Sequence, residues 1–153
     1  MKMKRELVKD WMSTEVITAG PNTTLPEAHQ LMVNEEIRRL PVVKNGRLVG
    51  IVTLGDVRGA EPSPATSLSI WELNYLLAKL TLSQIMTADP ITIAPTATIG
   101  EAARLMLENR VSGLPVVDEA GDLVGIITES DIFSMVVLHQ WSQEDREAYA
   151  LPE

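Results

Sequence analysis

Leu114-Pro-Val-Val-Asp-Glu-Ala-Gly-Asp-Leu-Val-Gly-Ile-Ile-Thr-Glu-Ser-Asp131 decides the fold, because the chain carries it twice. The earlier copy, Leu40-Pro-Val-Val-Lys-Asn-Gly-Arg-Leu-Val-Gly-Ile-Val-Thr-Leu-Gly-Asp56, is one residue shorter in its turn. Val and Ile suit a pleated, buried surface, so each copy reads as two short strands around a hairpin turn. Asn45-Gly46 and Ala120-Gly121-Asp122 supply residues that tolerate tight-turn backbone angles. Each copy then runs Gly-x-x-Thr-x-x-Asp and turns apolar again, as a helix start does.

The likeness extends toward the N-terminal side of both copies. Setting Met86 under Met12 gives an offset of 74 residues, and in that register Ile17/Ile91, Thr18/Thr92, Pro21/Pro95, Thr24/Thr98, Glu27/Glu101, Ala28/Ala102, Leu31/Leu105 and Met32/Met106 are identical. Gly50/Gly125, Thr53/Thr128 and Asp56/Asp131 follow after the extra turn residue. Chance does not give this many identities in register, so the chain holds an internal duplication.

The rest is laid out around the repeats. Residues 4–11 read as a short amphipathic helix with Leu7, Val8 and Trp11, and Val16-Ile-Thr18 as a brief strand. Thr24-Leu-Pro-Glu27 has capping-box form and opens a helix with Ala28, Leu31 and Met32 on one face. Pro62-Ser-Pro-Ala-Thr-Ser67 is a linker by composition. Ser69-Ile-Trp-Glu72 launches a connecting helix with Leu73, Leu76, Leu77 and Leu80. The segment Ile132 to Trp141 completes the last helix, and from Ser142 the chain turns polar and frays. The expected division is an arm (1–11), repeat 1 (12–60), linker and connecting helix (61–81), repeat 2 (82–138) and a tail (139–153). Trp11, Trp71 and Trp141 fall in the arm, the connecting helix and the tail, outside both repeats; they read as core packing, with cover for apolar surface at the module's rim or dimer contact as the alternative.

Composition narrows the function. With 45% hydrophobic and only 4% aromatic residues the interior is aliphatic. A net charge of −8 argues against a nucleic-acid partner, which calls for a basic face. The absence of cysteine excludes disulfides and thiolate metal sites and fits a reducing compartment. No run approaches a membrane span, and the start carries no signal-peptide segment, so a cytoplasmic protein is expected. His29 and His139 lie in contexts unlike any metal spacing. No nucleophile–base pair, phosphate loop or metal cluster is visible, so the expectation is a protein that is not an enzyme.

The repeat resembles the CBS (cystathionine β-synthase-type) domain, and its duplication a tandem pair, or Bateman module, standing alone. The carriers are Met12-Ser-Thr and Met86-Thr-Ala, Ile17-Thr-Ala-Gly-Pro and Ile91-Thr-Ile-Ala-Pro, the two Leu-Pro-Val-Val runs, and Gly-x-x-Thr-x-x-Asp twice. The resemblance implies an α/β (α+β) fold of two β-α-β-β-α repeats packed about a pseudo-two-fold axis. It implies inter-repeat clefts for an adenosyl ligand: AMP, ADP, ATP or S-adenosylmethionine, with no required cofactor. It also implies a homodimer and a regulatory role exerted on an effector protein, without a nucleic-acid or membrane partner.

By the same resemblance, Asp56 and Asp131 serve the ribose hydroxyls, with Thr53 and Thr128 beside ribose or phosphate. Thr18, Thr92, Ile17, Ile91 and Ile93 line adenine pockets closed by Pro41-Val42 and Pro115-Val116. Arg39 faces the phosphates of the cleft built on Thr128 and Asp131, so that cleft is expected to bind a phosphorylated ligand better. The cleft built on Asp56 stays empty, takes adenosine, or borrows Arg38 or Arg110. Chemistry alone leaves each role open. A carboxylate accepts two hydrogen bonds from a vicinal diol, but Thr-x-x-Asp is also a helix cap. Adjacent arginines suit phosphate, but they also suit a solvated edge. A structural dimerisation module with empty clefts is the alternative.

Overall fold

The computed structural model describes residues 6–61, 67 and 69–140. Expectations for residues 4 and 5, for 62–66 of the linker and for the tail from Trp141 lie outside those residues. In chain order the elements are α1 (Val8–Trp11), α2 (Leu25–Asn34), β1 (Arg39–Lys44), β2 (Arg47–Thr53), α3 (Leu54–Ala60), α4 (Ile70–Lys79) and α5 (Leu82–Ile85). Then come β3 (Thr87–Ala88), α6 (Ile99–Asn109), β4 (Gly113–Val117), β5 (Leu123–Thr128), α7 (Glu129–Met135) and a π-helical turn (Val136–Gln140). The fold is mixed helix and strand, as the repeat implies. The chain divides into two compact units, one built on each repeat.

The first-repeat unit spans Ile17–Ile91 with Gly121–Leu123. Thr24 caps α2 by accepting the Glu27 N–H, and Pro26 sits in the first turn, where its missing N–H costs nothing. The apolar face of α2 buries Leu25, Ala28 and Met32. β1 and β2 pair antiparallel around Asn45 and Gly46, at φ 53° and 82°, so both central residues of the turn are left-handed. Pairing runs from Arg39↔Thr53 to Lys44↔Arg47 and slips between Val42 and Val43. Leu40, Val42, Val52 and Val57 close the core over α2, with Leu82 from α5.

The second-repeat unit holds the chain up to Val16, Thr92–Ala120 and the chain from Val124 onward. Thr98 caps α6 through the Glu101 N–H at 3.1 Å, and α6 ends on Arg110 at φ 54°. Ile99, Ala102 and Met106 meet Leu114, Val116 and Ile127 in the core, with Val8 from α1. Met32 and Met106 are thus core residues of their repeats.

The segment leading each repeat completes the other repeat's unit. Val8 N–H bonds to Ala97 O at 2.9 Å, Ile99 N–H to Glu6 O at 2.9 Å, and Ser13 exchanges both backbone bonds with Ile126 at 2.9 Å. The same geometry recurs where Leu82 N–H meets Thr23 O at 2.9 Å and Leu25 N–H meets Leu80 O at 2.9 Å. The motif glycines explain the close fit. A Cβ on Gly125 would lie 2.6 Å from the Met12 sulfur and 2.9 Å from the Ser13 carbonyl; one on Gly50 would strike the Met86 sulfur.

Three expectations change. Val16–Thr18 is not a strand: pairing shrinks to one parallel bridge, Ala19↔Val42, because the turn at Pro21 follows at once. Ile93↔Val116 is its counterpart in the second-repeat unit. The last α-helix stops at Met135 and widens to the π turn, where branched Val136 and Val137 crowd the preceding turn. Trp71 is no core residue, being 81% exposed on α4, whereas Trp11 does pack against the second-repeat core, half-buried, with its Nε1–H on Glu6 Oε2 at 2.9 Å. Among the described residues no helix is long and apolar enough to cross a membrane.

Candidate functional site

Each repeat sets its Thr and Asp at the junction where the second hairpin strand becomes a helix. Thr53 N–H donates to Asp56 Oδ2 at 2.9 Å, and Asp56 N–H returns to Thr53 Oγ1 at 3.1 Å. Thr128 N–H donates to Asp131 Oδ2 at 2.8 Å, and its hydroxyl lies 3.3 Å from the same oxygen. The first is a reciprocal capping box, and in the second the Asp131 carboxylate takes both the N–H and the hydroxyl of Thr128, so in both copies the aspartate caps its helix start. The cap engages Oδ2 only. Among the described residues Oδ1 of neither aspartate is hydrogen-bonded, and both side chains are half-buried. A carboxylate so held is oriented by its cap and keeps one oxygen for a hydroxyl.

The strand before the hairpin turn sets what stands next to each aspartate. Arg39 is the register partner of Thr53, and Leu54 N–H bonds to Arg38 O at 2.8 Å. In the second-repeat unit Glu129 N–H bonds to Ser112 O at 3.0 Å. Arg39 therefore stands beside Thr53 of its own repeat. Glu129, exposed in the first turn of α7, stands where the repeat alignment has Leu54.

The expected adenine-pocket residues divide by strand face. Side chains alternate along a strand, and Leu40, Val42 and Val52 point into the core. Val116 and Ile93 do the same in the other unit. The side chains of Val42, Val116 and Ile93 are thus spent on packing, and only their backbone can border a ligand. Pro41 lies on the face of β1 away from the core and, like Pro115, is buried. Ile17 and Ile91 are 36% and 38% exposed, Thr18 is exposed and Thr92 half-buried. Arg38 is exposed at the entrance to β1, and Arg110 is exposed at the end of α6.

Hollows are found among the described residues. One of about 300 Å³ is flanked by His29, Gln30, Val33, Glu61 and Leu77, with His29 Nδ1 2.7 Å from Glu61 Oε1. Another of about 350 Å³ is flanked by the expected pocket residues Thr92 and Ile93 together with Thr96, Asp118 and Glu119, and includes neither Thr128 nor Asp131. Among the described residues no three His, Cys, Asp or Glu side chains cluster as a metal site.

The family model described as "CBS domain" matches residues 8–63 and again 82–138. Among curated proteins, inosine-5′-monophosphate dehydrogenase of Korarchaeum cryptofilum is 39% identical over 119 residues, 78% of this chain. The chain spans 22% of that enzyme's length. Among solved structures, the CBS domain pair of protein MJ0100, in complex with 5′-methylthioadenosine and S-adenosyl-L-methionine, superposes with a TM-score of 0.71 at 33% identity. The match covers 86% of this chain and 96% of that one. CBSX2 in complex with AMP, a protein of Arabidopsis thaliana, gives 0.74 at 27% identity over 89% and 99%. Two family matches in register with the duplication, and two repeats folded as hairpin-to-helix units, place the chain in the CBS domain family as a tandem pair.

Proposed function

We propose that this CBS pair is a regulatory module that binds an adenosyl ligand through Asp56 and Asp131 and performs no catalysis of its own. The observation that carries the reading is the half-used carboxylate: each aspartate is fixed by its helix cap on one oxygen and presents the other. A rigidly held acceptor suits the vicinal hydroxyls of a ribose, and the neighbouring threonine adds a hydroxyl. Ile17, Thr18, Pro41 and Arg38 join Asp56 and Thr53; Thr92 and Pro115 join Asp131 and Thr128. The complexes of related pairs with AMP and with S-adenosylmethionine support the ligand class. Ligand binding acts by favouring one of two conformational or dimeric states, to the extent of its differential affinity, and an effector protein reads that state.

Thermal unfolding with AMP, ADP, ATP, S-adenosylmethionine and a GTP control tests this. A ligand that binds only the folded chain, at about 100 times its dissociation constant, adds about 2.7 kcal/mol. A rise with an adenosyl ligand that vanishes in the Asp56→Asn, Asp131→Asn double variant supports it. No rise with any adenosyl ligand overturns it and favours a module that serves only to associate.

A further inference from the structure

We infer that the outward face of α4 is where a second copy of this chain docks, the two α4 helices lying antiparallel about a two-fold axis at Tyr75. The inference goes beyond the adenosyl reading and does not depend on it, since none of the aspartate-site residues lies on α4.

α4 is apolar on two opposite faces. Leu77 packs on the first-repeat core, Leu80 at the C-cap follows it, and Leu73, one turn before Leu77, is half-buried on the same side. Trp71 and Tyr75, also one turn apart, occupy the opposite side and are 81% and 61% exposed. Leu76 flanks them and is exposed as well. A helix apolar around most of its circumference is one that is buried on more than one side. Trp and Tyr are also the side chains concentrated where two proteins meet.

Charge decides which partner fits. Glu72 and Lys79 are both exposed and lie on one side of the helix, about 10 Å apart along its axis, at opposite ends of the aromatic pair. Lys79 already rests on Tyr75: its Nζ is 4.0 Å from the ring centroid and donates to the hydroxyl. A surface acidic at one end, basic at the other and aromatic between complements its own image turned end for end. In the antiparallel pair Glu72 of each copy faces Lys79 of the other, and Trp71 of each copy comes beside the same cation. A parallel pair would set Glu72 on Glu72 and Lys79 on Lys79. The two-fold axis makes every favourable pairing twice. Area sets the strength. A fully exposed ring of this kind offers about 150–250 Å², so Trp71 and Tyr75 together bring roughly 300 Å² per copy and roughly 600 Å² to the pair. Leu76, Glu72 and the Lys79 stem raise this to roughly 1,000 Å², the low end for a specific interface, so the association is reversible.

Sedimentation velocity of the full chain over a wide concentration range, without nucleotide, tests this. The mass is expected to double as concentration rises, and Trp71→Ala to weaken that step about ten- to a hundredfold. Glu72→Lys and Lys79→Glu, each alone, set like charges across the axis and are expected to weaken it about tenfold. An equal mixture of the two charge variants is expected to associate as the parent does, because each supplies the sign the other lacks. All three changes fall on exposed side chains, and helical content by circular dichroism confirms that each variant is folded. A mass that does not rise, a rise that is the same in Trp71→Ala as in the parent, charge variants that associate as the parent does, or a mixture no tighter than its components overturns the inference. Each of those results leaves the adenosyl reading where it stands.

Discussion

Gly125→Ala is the sharpest perturbation of this fold, because it adds one methyl where the leading segment of the chain lies against β5. The new Cβ would sit 2.6 Å from Met12 Sδ and 2.9 Å from Ser13 O, against about 3.5–4.0 Å for relaxed contact. The methionine tail can swing aside. The carbonyl cannot, because it accepts the Ile126 N–H at 2.9 Å within a two-bond exchange. Either the bridge between Ser13 and Ile126 opens or the strand shifts, and such overpacking costs about 1–3 kcal/mol. In a domain of this size that lowers Tm by about 3–10 °C. The companion Met12→Ala, Gly125→Ala variant recovers only part of the loss, since it removes the sulfur and not the carbonyl. Gly100→Ala is the control: it lies in α6 with its nearest neighbour 3.8 Å away, and a helical Gly-to-Ala change is expected to gain about 0.5–1 kcal/mol. Urea and thermal unfolding of the variants measure these differences. A Gly125→Ala protein as stable as the parent would refute the close docking of the leading segment on the second repeat.

Leu82→Ala is expected to cost about 2–5 kcal/mol in urea unfolding, because this residue, which leads the second repeat, is fully buried in the first repeat's core. Thr98→Ala removes the acceptor of the Glu101 N–H and is expected to cost about 1 kcal/mol, recovered in Thr98→Ser. Glu61→Gln breaks the His29 pair, whose side chains are 36% and 37% exposed, and is expected to change stability by less than about 1 kcal/mol, with a salt dependence weaker than the parent's.

The hairpins, the helix caps and the duplication were legible because their causes are local: the glycine turns at Asn45-Gly46 and Ala120-Gly121-Asp122, Thr and Ser three residues before Glu, identities in register. The exchange of leading segments was not. Equivalence of Met12 and Met86 says that the two occupy matching places, and is silent on whether each packs on its own repeat or the other. Gly50 and Gly125 held a hint, since a glycine inside a branched strand signals a close neighbour. The expected pocket suffered from ignored alternation: Leu40 and Val42 must share a face, which puts Val42 in the core and leaves Pro41 on the other side. The resemblance gives Arg39 a ligand of the other repeat; the register, which no spacing reveals, sets its neighbour within its own repeat as Thr53. The Thr-x-x-Asp motif left cap and ligand roles open, and in the structure the cap uses one oxygen and spares the other.

The traded leading segments make the halves of this chain obligate complements. A break in the linker after Glu61 would cut no repeat, yet it would produce two fragments that each lack a piece of their own interior. The first would have a vacancy where Leu82 belongs, and the second one where Val8 belongs. Neither fragment is a closed unit, whereas the two mixed together carry every residue both interiors need. One copy of the repeat alone would face the same deficit and would meet it only by swapping its leading segment with a twin.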